Sequence, residues 1–162
     1  MEPSEKDWHP LTSASTKPSA EHLIPGLYAL ARCWFDRGDY APAEKIYRLI
    51  INIDDQVKNI TCTEVVLSAL DMARLLMETH RLMEAEHMYL RAINRCTRCL
   101  GQQHSVYARI LQSYAELLRT MNLEKEAAEL EDRAREVKSM QRMETRDEAA
   151  FSDSAVSSAT IG

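Results

Sequence analysis

The sequence lacks the features that build sheets or membrane spans. Only four glycines and five prolines occur among its 162 residues, and apolar and polar residues do not alternate over any sustained stretch. Apolar residues instead recur three and four positions apart, which is the spacing of one face of an α-helix. No apolar run approaches the roughly 18 residues that a membrane span requires. These absences predict an all-α chain without membrane association.

The sequence also lacks an export signal and a basic character. Its first ten residues, MEPSEKDWHP, contain charges and no apolar core segment, so we expect a cytoplasmic protein. Its four cysteines, Cys33, Cys62, Cys96 and Cys99, are then read as reduced thiols. A formal net charge of −5 disfavours nucleic acid, whose phosphates require a concentrated basic face. A protein partner is the expected ligand.

Signals for catalysis and cofactors are missing as well. There is no glycine-rich phosphate loop, and the five histidines are scattered along the chain, so we predict no enzyme activity and no cofactor. Cys96 and Cys99, followed by His104, have metal-ligand or redox spacing. Zinc requires a fourth ligand that the sequence does not supply nearby, so we predict no metal site. A thiol- or zinc-dependent regulator is the less favoured alternative at this pair.

What the sequence does contain is a repeat with a period of 42 residues. Small residues recur in register with small residues, and large with large. The matched sets are Ala43, Ala85 and Ala127; Ala31, Ala73 and Ala115; Leu30, Met72 and Tyr114; and Cys33, Leu75 and Leu117. Self-similarity at one fixed period is typical of a stacked array. The register also predicts a core position for Cys33.

Three helix pairs follow from the caps and turns between the apolar stripes. Gly38 and Asp39, and later Asn122, mark tight turns, and Asp39 is a candidate N-cap. Thr61 and Glu64 have the spacing of a capping box. The predicted first helix runs from about Pro25 to Arg37, and the second follows the Asp39 N-cap, with Pro42 in its first turn, and ends at about Ile53. The remaining four are predicted at about Cys62 to Thr79, Leu82 to Leu100, Ser105 to Met121 and Leu123 to Met143.

The run ALARCWFDRGDYAPAEKIYRLII, residues 29–51, resembles a tetratricopeptide repeat. The 42-residue period, with Leu100, Gly101 and His104 in the linker, resembles the kinesin-light-chain-like class of these repeats. The resemblance implies a right-handed α-solenoid of three antiparallel helix pairs, in which the first helices line a concave groove. It also implies a non-enzymatic module for protein interactions.

The domain is predicted over residues 21–143, between a disordered lead at 1–20 and a disordered tail at 144–162. The sixth helix carries Glu131 where the earlier units carry Tyr47 and Tyr89. A carboxylate there would be buried if another unit packed over it, so the array should end at this helix.

Residues outside the packing stripe of each first helix are predicted to line the groove. They are Tyr28, Arg32, Phe35 and Asp36; Leu67, Leu70, Arg74, Met77 and Glu78; and Arg109, Gln112, Glu116 and Arg119. Arg32 and Arg74 recur in register, so the expected partner is a peptide or helix that carries acidic and apolar residues. Because both arginines lie off the packing stripe, their reversal to Glu is expected to leave the fold intact.

Two questions of function stay open at this point. The groove suits an adaptor or scaffold, and equally a dedicated chaperone for one client, while self-association is also possible. Arg91, Arg95 and Arg98 form a basic stripe on the fourth helix. Such a stripe is usually a solvated face, and its alternative role is a second contact for an acidic partner.

Overall fold

A computed structural model describes residues 20–57 and 63–158, which form six α-helices. These are α1 (Ala20–Asp36), α2 (Tyr40–Gln56), α3 (Thr63–Glu78), α4 (Leu82–Cys99), α5 (Ser105–Thr120) and α6 (Glu124–Ser158). No residue within the described ranges lies in a strand, so the all-α prediction is confirmed. None of the helices in these ranges is long and apolar enough to cross a membrane.

The helices pack as three consecutive pairs. α1 packs on α2, α3 on α4 and α5 on α6, and α2 and α4 each pack on the first helix of the next pair. The first helices also touch one another, α1 with α3 and α3 with α5. Each pair therefore covers an apolar face of its neighbour, which it could not bury alone.

The 42-residue period reappears in the backbone of the turns inside each pair. Gly38, His80 and Asn122 all have positive φ, at 80°, 59° and 62°. Glycine adopts this left-handed conformation without strain, and asparagine and histidine adopt it more readily than most residues. The same hydrogen bond closes each turn: Asp39 N to Trp34 O at 3.0 Å, Arg81 N to Leu76 O at 2.8 Å, and Leu123 N to Leu118 O at 2.9 Å.

The alanines that define the register are the closest contacts of the core. Their small side chains let the helices approach, and all six are fully buried: Ala31, Ala73 and Ala115 on the first helices, and Ala43, Ala85 and Ala127 on the second. Tyr47 and Tyr89 are also fully buried, whereas Glu131 in the third unit is partly exposed. The sequence predicted this division between the tyrosines and the glutamate.

Two predicted helix ends are wrong. α1 begins at Ala20 rather than near Pro25, which lies inside the helix. α6 runs to Ser158 rather than ending near Met143, because no proline or glycine follows before that residue. The domain boundaries stay a prediction. The disordered lead falls on residues outside the described ranges apart from Ala20, and Thr61, Cys62 and residues 159–162 also lie outside them.

Cys33 is exposed, which contradicts its predicted core position. Its partners in the register, Leu75 and Leu117, are fully buried. The difference arises because α3 and α5 each follow a helix pair that covers this face, whereas in the described chain no pair precedes α1. The register identifies equivalent positions but not the neighbours that bury them.

Candidate functional site

The surface of α1, α3 and α5 that the sequence predicts to be a groove, here called the first-helix groove, contains a cluster of side chains around Asp71. This side chain is completely buried in α3 and accepts hydrogen bonds from three others. Tyr28 Oη donates to Asp71 Oδ2 at 2.9 Å, Arg32 Nη1 to the same oxygen at 3.2 Å, and Arg74 Nη1 to Oδ1 at 3.4 Å. Asp71 therefore links α1 to α3 and holds both groove arginines in place.

The electrostatics of this cluster follow from its burial and its charges. Burial, together with the negative charge and hydrogen bond of Asp71, raises the pKa of Tyr28 to about 12. Partial burial lowers the pKa of Arg32, but the charge and hydrogen bond of Asp71 outweigh this and raise it above its ordinary value. Tyr28 is thus a neutral donor, and Arg32 stays a cation, throughout the physiological range of pH.

Apolar groups lie beside the two arginines. The guanidinium of Arg74 lies 5.5 Å from the ring centre of Phe35, a cation–π contact that joins α3 to α1. The ring of Phe35 also packs against the ring of Tyr40, with 5.7 Å between the two ring centres. Met77 is half-buried, and its sulfur accepts a hydrogen bond from Tyr89 at 3.1 Å. The cluster therefore presents guanidinium edges next to partly exposed apolar side chains.

The structure brings together Tyr28, Arg32 and Arg74 around Asp71, with Phe35 beside Arg74. Asp36 is exposed and pairs with Arg32 at 3.4 Å, while Leu67 is half-buried and Glu78 is exposed. The four residues on α5 are all exposed, namely Arg109, Gln112, Glu116 and Arg119. Two of these contact α6: Gln112 accepts from Lys138 at 2.8 Å, and Arg119 donates to Glu131 at 2.8 Å.

Leu70 was predicted to line the groove, and this is wrong because it is only 1% exposed. Its register partner Tyr28 lies on the face of α1 that reaches α3. The same face of α3 packs toward α5, which buries Leu70. Gln112 occupies this position on α5, and in the described chain no further helix pair follows to cover it. The position that Tyr28 and Leu70 share is therefore a contact between units rather than part of a binding surface.

Asp71 is the residue that the sequence prediction missed. The available signal was a single aspartate within the otherwise uncharged run at residues 65–73, VVLSALDMA. A buried carboxylate requires partners, so such an isolated acid indicates a polar cluster. Its presence also overturns the expectation that Arg32→Glu/Arg74→Glu leaves the fold intact, because this change would surround a buried carboxylate with two more acids.

The arginine stripe of α4 is not a solvated face. Arg91 pairs with Asp55 at 2.7 Å and with Asp54 at 3.3 Å, and Arg95 pairs with Asp54 at 2.6 Å. Both carboxylates lie at the end of α2, so these pairs join the first unit to the second. Arg98 lines the same cleft, which has a volume of about 420 Å³.

The cysteine pair does not have the properties of a reactive or metal-binding site. Cys96 is fully buried, and burial together with the nearby Cys99 raises its pKa to about 11. A reactive or metal-binding cysteine requires the opposite shift, because the thiolate is the active form. In the part of the chain that the structure describes, no group of three His, Cys, Asp or Glu side chains is placed to hold a metal ion.

Solved structures and a family model show which proteins this chain is similar to. Two solved structures share this fold and show an all-α helical repeat protein. One is BtubC (BKLC) from P. vanneervenii, with a TM-score of 0.68 and 18% identity over 74% of this chain and 47% of that one. The other is a putative kinesin light chain of Podosopora anserina with nearly identical TPR-like repeats, with a TM-score of 0.62 and 16% identity over 74% of this chain and 56% of that one.

A family model described as tetratricopeptide repeat matches residues 65–139, which cover α3 to α6 up to Ser139. The predicted resemblance is therefore confirmed: residues 65–139 match the tetratricopeptide repeat model, and the structural neighbours are repeat proteins of the kinesin-light-chain-like type. No curated protein sequence matches the chain. The chain spans about half the length of the two solved structures.

Proposed function

We propose that this chain is a non-enzymatic adaptor or scaffold that binds a peptide or a helix of a partner protein in the first-helix groove. The observation that carries the proposal is the pair of guanidinium groups held side by side by the buried Asp71. Arginines that are fixed in place lose little conformational freedom on binding, which favours them as anchors in interfaces. Tetratricopeptide repeats generally mediate protein interactions, which supports the same role.

The charge of the cluster indicates the ligand class. Arg32 and Arg74 contribute two positive charges and Asp71 offsets one, while the exposed Asp36 pairs with Arg32 at 3.4 Å. Arg74 is therefore the arginine that is more available to a ligand carboxylate. Both guanidinium groups keep N–H donors that Asp71 does not use, and the side chain of Arg74 is 42% exposed. The partner would place a carboxylate on these donors and apolar side chains against Phe35, Leu67 and Met77. We place this interaction in the cytoplasm.

A random peptide library selected on the immobilised chain tests this specificity without a known partner. We expect the selected peptides to combine Asp or Glu with large apolar residues. In Arg74→Gln, Asp71 keeps its hydrogen bonds from Tyr28 and Arg32, so the fold should survive. The affinity of a selected peptide, measured by fluorescence anisotropy, should fall roughly tenfold or more, as expected for a lost charge-assisted contact.

Arg91→Gln is the matched control, because Arg91, like Arg74, is a partly exposed arginine that pairs with a buried or nearly buried aspartate. It lies on the stripe of α4, so its loss should leave the peptide affinity unchanged. Selection of basic peptides, or a loss of affinity in Arg91→Gln but not in Arg74→Gln, would place recognition on a different surface and contradict the proposal.

A further inference from the structure

The N-terminal end of the stack exposes apolar side chains that belong to no groove. Leu23 and Leu30 on α1 are each 48% exposed, and Leu49 on α2 is 45% exposed. Cys33 and Gly26 on α1 are exposed beside them. We call these five residues the N-terminal end face. On α1 they lie three or four residues apart, which is the spacing of a helix that packs along a single seam.

The repeat register shows what this face resembles. In the second and third units the positions equivalent to those of α1 are all buried: Val65, Ser68, Met72 and Leu75, then Tyr107, Ile110, Tyr114 and Leu117. They are covered there by the preceding helix pair. Leu49 takes the place of Arg91 and Arg133, which contact Asp55 at 2.7 Å and Gln102 at 3.2 Å. The N-terminal end face is thus shaped like an internal stacking surface.

The C-terminal end of the stack cannot cover this face in a second copy. The positions of the last pair that would face a following pair carry Gln112, Glu116, Arg119, Glu131 and Lys138. Four of these side chains pair with one another, in the contacts Arg119–Glu131 and Lys138–Gln112. Packing leucines against them would desolvate charged groups without new partners. Association through the N-terminal end face is therefore head to head, and such an isologous contact closes at a dimer.

We propose that two copies of this chain dimerise through their N-terminal end faces, with the two α1 helices antiparallel. If the two-fold axis passes the helices at the level of residue 28, Leu23 of one copy faces Cys33 of the other. Leu30 then faces Gly26, where a Cβ atom would meet nothing within 4 Å. Each large side chain lies opposite a small one, and none of the five residues carries a charge that burial would leave unpaired.

Sedimentation of the full chain over a series of concentrations, under reducing conditions, tests the proposal. We expect a reversible monomer–dimer equilibrium. Gly26→Glu should leave the helical fold intact, because the new side chain enters open space and Glu favours a helix more than Gly does. It should raise the dimer dissociation constant by roughly a hundredfold, because two like charges would be buried in the seam. Leu90→Glu, which changes an exposed leucine on α4, is the control and should dimerise normally.

A cysteine crosslink tests the antiparallel arrangement. In Leu23→Cys, mild oxidation should join Cys at position 23 of one copy to native Cys33 of the other, as read by mass spectrometry of the linked peptides. The two positions in one chain are about 15 Å apart along α1, too far for an internal bond. Leu23→Cys/Cys33→Ser should lose the crosslink.

Three outcomes would overturn the proposal. A full chain that stays monomeric at all concentrations would show that the face is open or is covered by another segment or protein. A dimer that survives Gly26→Glu would use another surface. A crosslink between the two Cys33 side chains of wild-type copies, without the crosslink between positions 23 and 33, would contradict the antiparallel seam.

Discussion

The two ends of the stack have opposite character, although each consists of positions that contact a neighbouring pair inside the stack. The N-terminal end presents Leu23, Leu30 and Leu49 to solvent, while the C-terminal end presents charged and amide side chains that pair with one another. The sequence of each unit is similar enough to keep the register, yet only the last unit has replaced its apolar outer positions with polar residues. The C-terminal end therefore has the polar residues of a solvent-exposed surface, and the N-terminal end has the apolar residues of an interface.

The comparison also shows that register and burial are separate properties. Cys33, Leu75 and Leu117 occupy one position of the repeat, but only the latter two are buried, because a preceding pair covers them. Tyr28, Leu70 and Gln112 show the same dependence at the opposite side of the first helices, where the last member is exposed. The role of a residue depends on which unit it occupies.

The largest expected effect comes from placing a carboxylate at the same register position in two units. Leu75→Glu would bury an unpaired acid in the core and should lower the free energy of unfolding by about 4 kcal/mol or more. Cys33→Glu should change it by about 0.5 kcal/mol or less, because position 33 is exposed. Urea unfolding of both variants in dilute solution measures the difference. Equal losses would mean that the two positions have the same environment.

Charge reversal should lower the free energy of unfolding more inside the stack than at its C-terminal end, and both losses should be smaller than that of Leu75→Glu. Arg32→Glu/Arg74→Glu removes both cationic partners of the fully buried Asp71 and should cost about 3 kcal/mol or more. Arg119→Glu breaks the exposed or partly exposed pairs with Glu124 and Glu131 at the C-terminal end, and should cost about 1 kcal/mol or less. Chemical unfolding curves provide both values. A double variant as stable as Arg119→Glu would show that Asp71 does not depend on the two arginines.

Glycine should be the most stable residue at the positive-φ position of each turn, wherever the turn lies in the stack, because the backbone strain there is local. His80 has a φ of 59°, which glycine adopts freely, so His80→Gly should stabilise the chain by about 0.5 to 1 kcal/mol. Gly38→Ala forces a Cβ into the equivalent turn at a φ of 80° and should destabilise it by about 1 kcal/mol. Thermal unfolding can measure both shifts. Changes of the same sign in the two variants would contradict the shared turn geometry.

A further expected effect, confined to alkaline pH, is a dependence of stability on pH at the first interface. The folded pKa of Tyr28 is raised to about 12 by burial and by Asp71, whereas an unfolded tyrosine ionises near 10. A raised folded pKa means that the contribution is complete below pH 10 and is lost as the pH rises toward 12. Tyr28→Phe should therefore lose less stability than the wild type between these values, as measured by urea unfolding. An unchanged slope would place Tyr28 outside the buried cluster.

Much of the fold could be predicted from the sequence because its determinants are local or periodic. The six helices, the alanine contacts, the buried Tyr47 and Tyr89 and the partly exposed Glu131 all follow from one 42-residue register. The ends of α1 and α6 could not be predicted in this way, because the nearby signals were weak. A proline in an early turn did not start the helix, and nothing in the sequence stopped α6.

The groove was only partly predictable, for a different reason. Arg32, Arg74 and Phe35 lie close together, as the register suggests, but Asp71, which accepts hydrogen bonds from both arginines, lies in the packing stripe of α3 and was overlooked. Likewise, the pairing of Arg91 with Asp54 joins residues on different units. Such contacts depend on the rotation between units, which sequence spacing does not specify.

Alkylation of the native cysteines, resolved by peptide mass spectrometry, is the most direct test of the difference between end and interior. In dilute protein Cys33 should react rapidly, because it is exposed, and Cys96 slowly, because it is fully buried with a raised pKa. In concentrated protein Cys33 should become slow as the end faces meet, while Cys96 should not change. A Cys33 that is slow in dilute protein, or fast at every concentration, would contradict an open apolar end that a second copy covers.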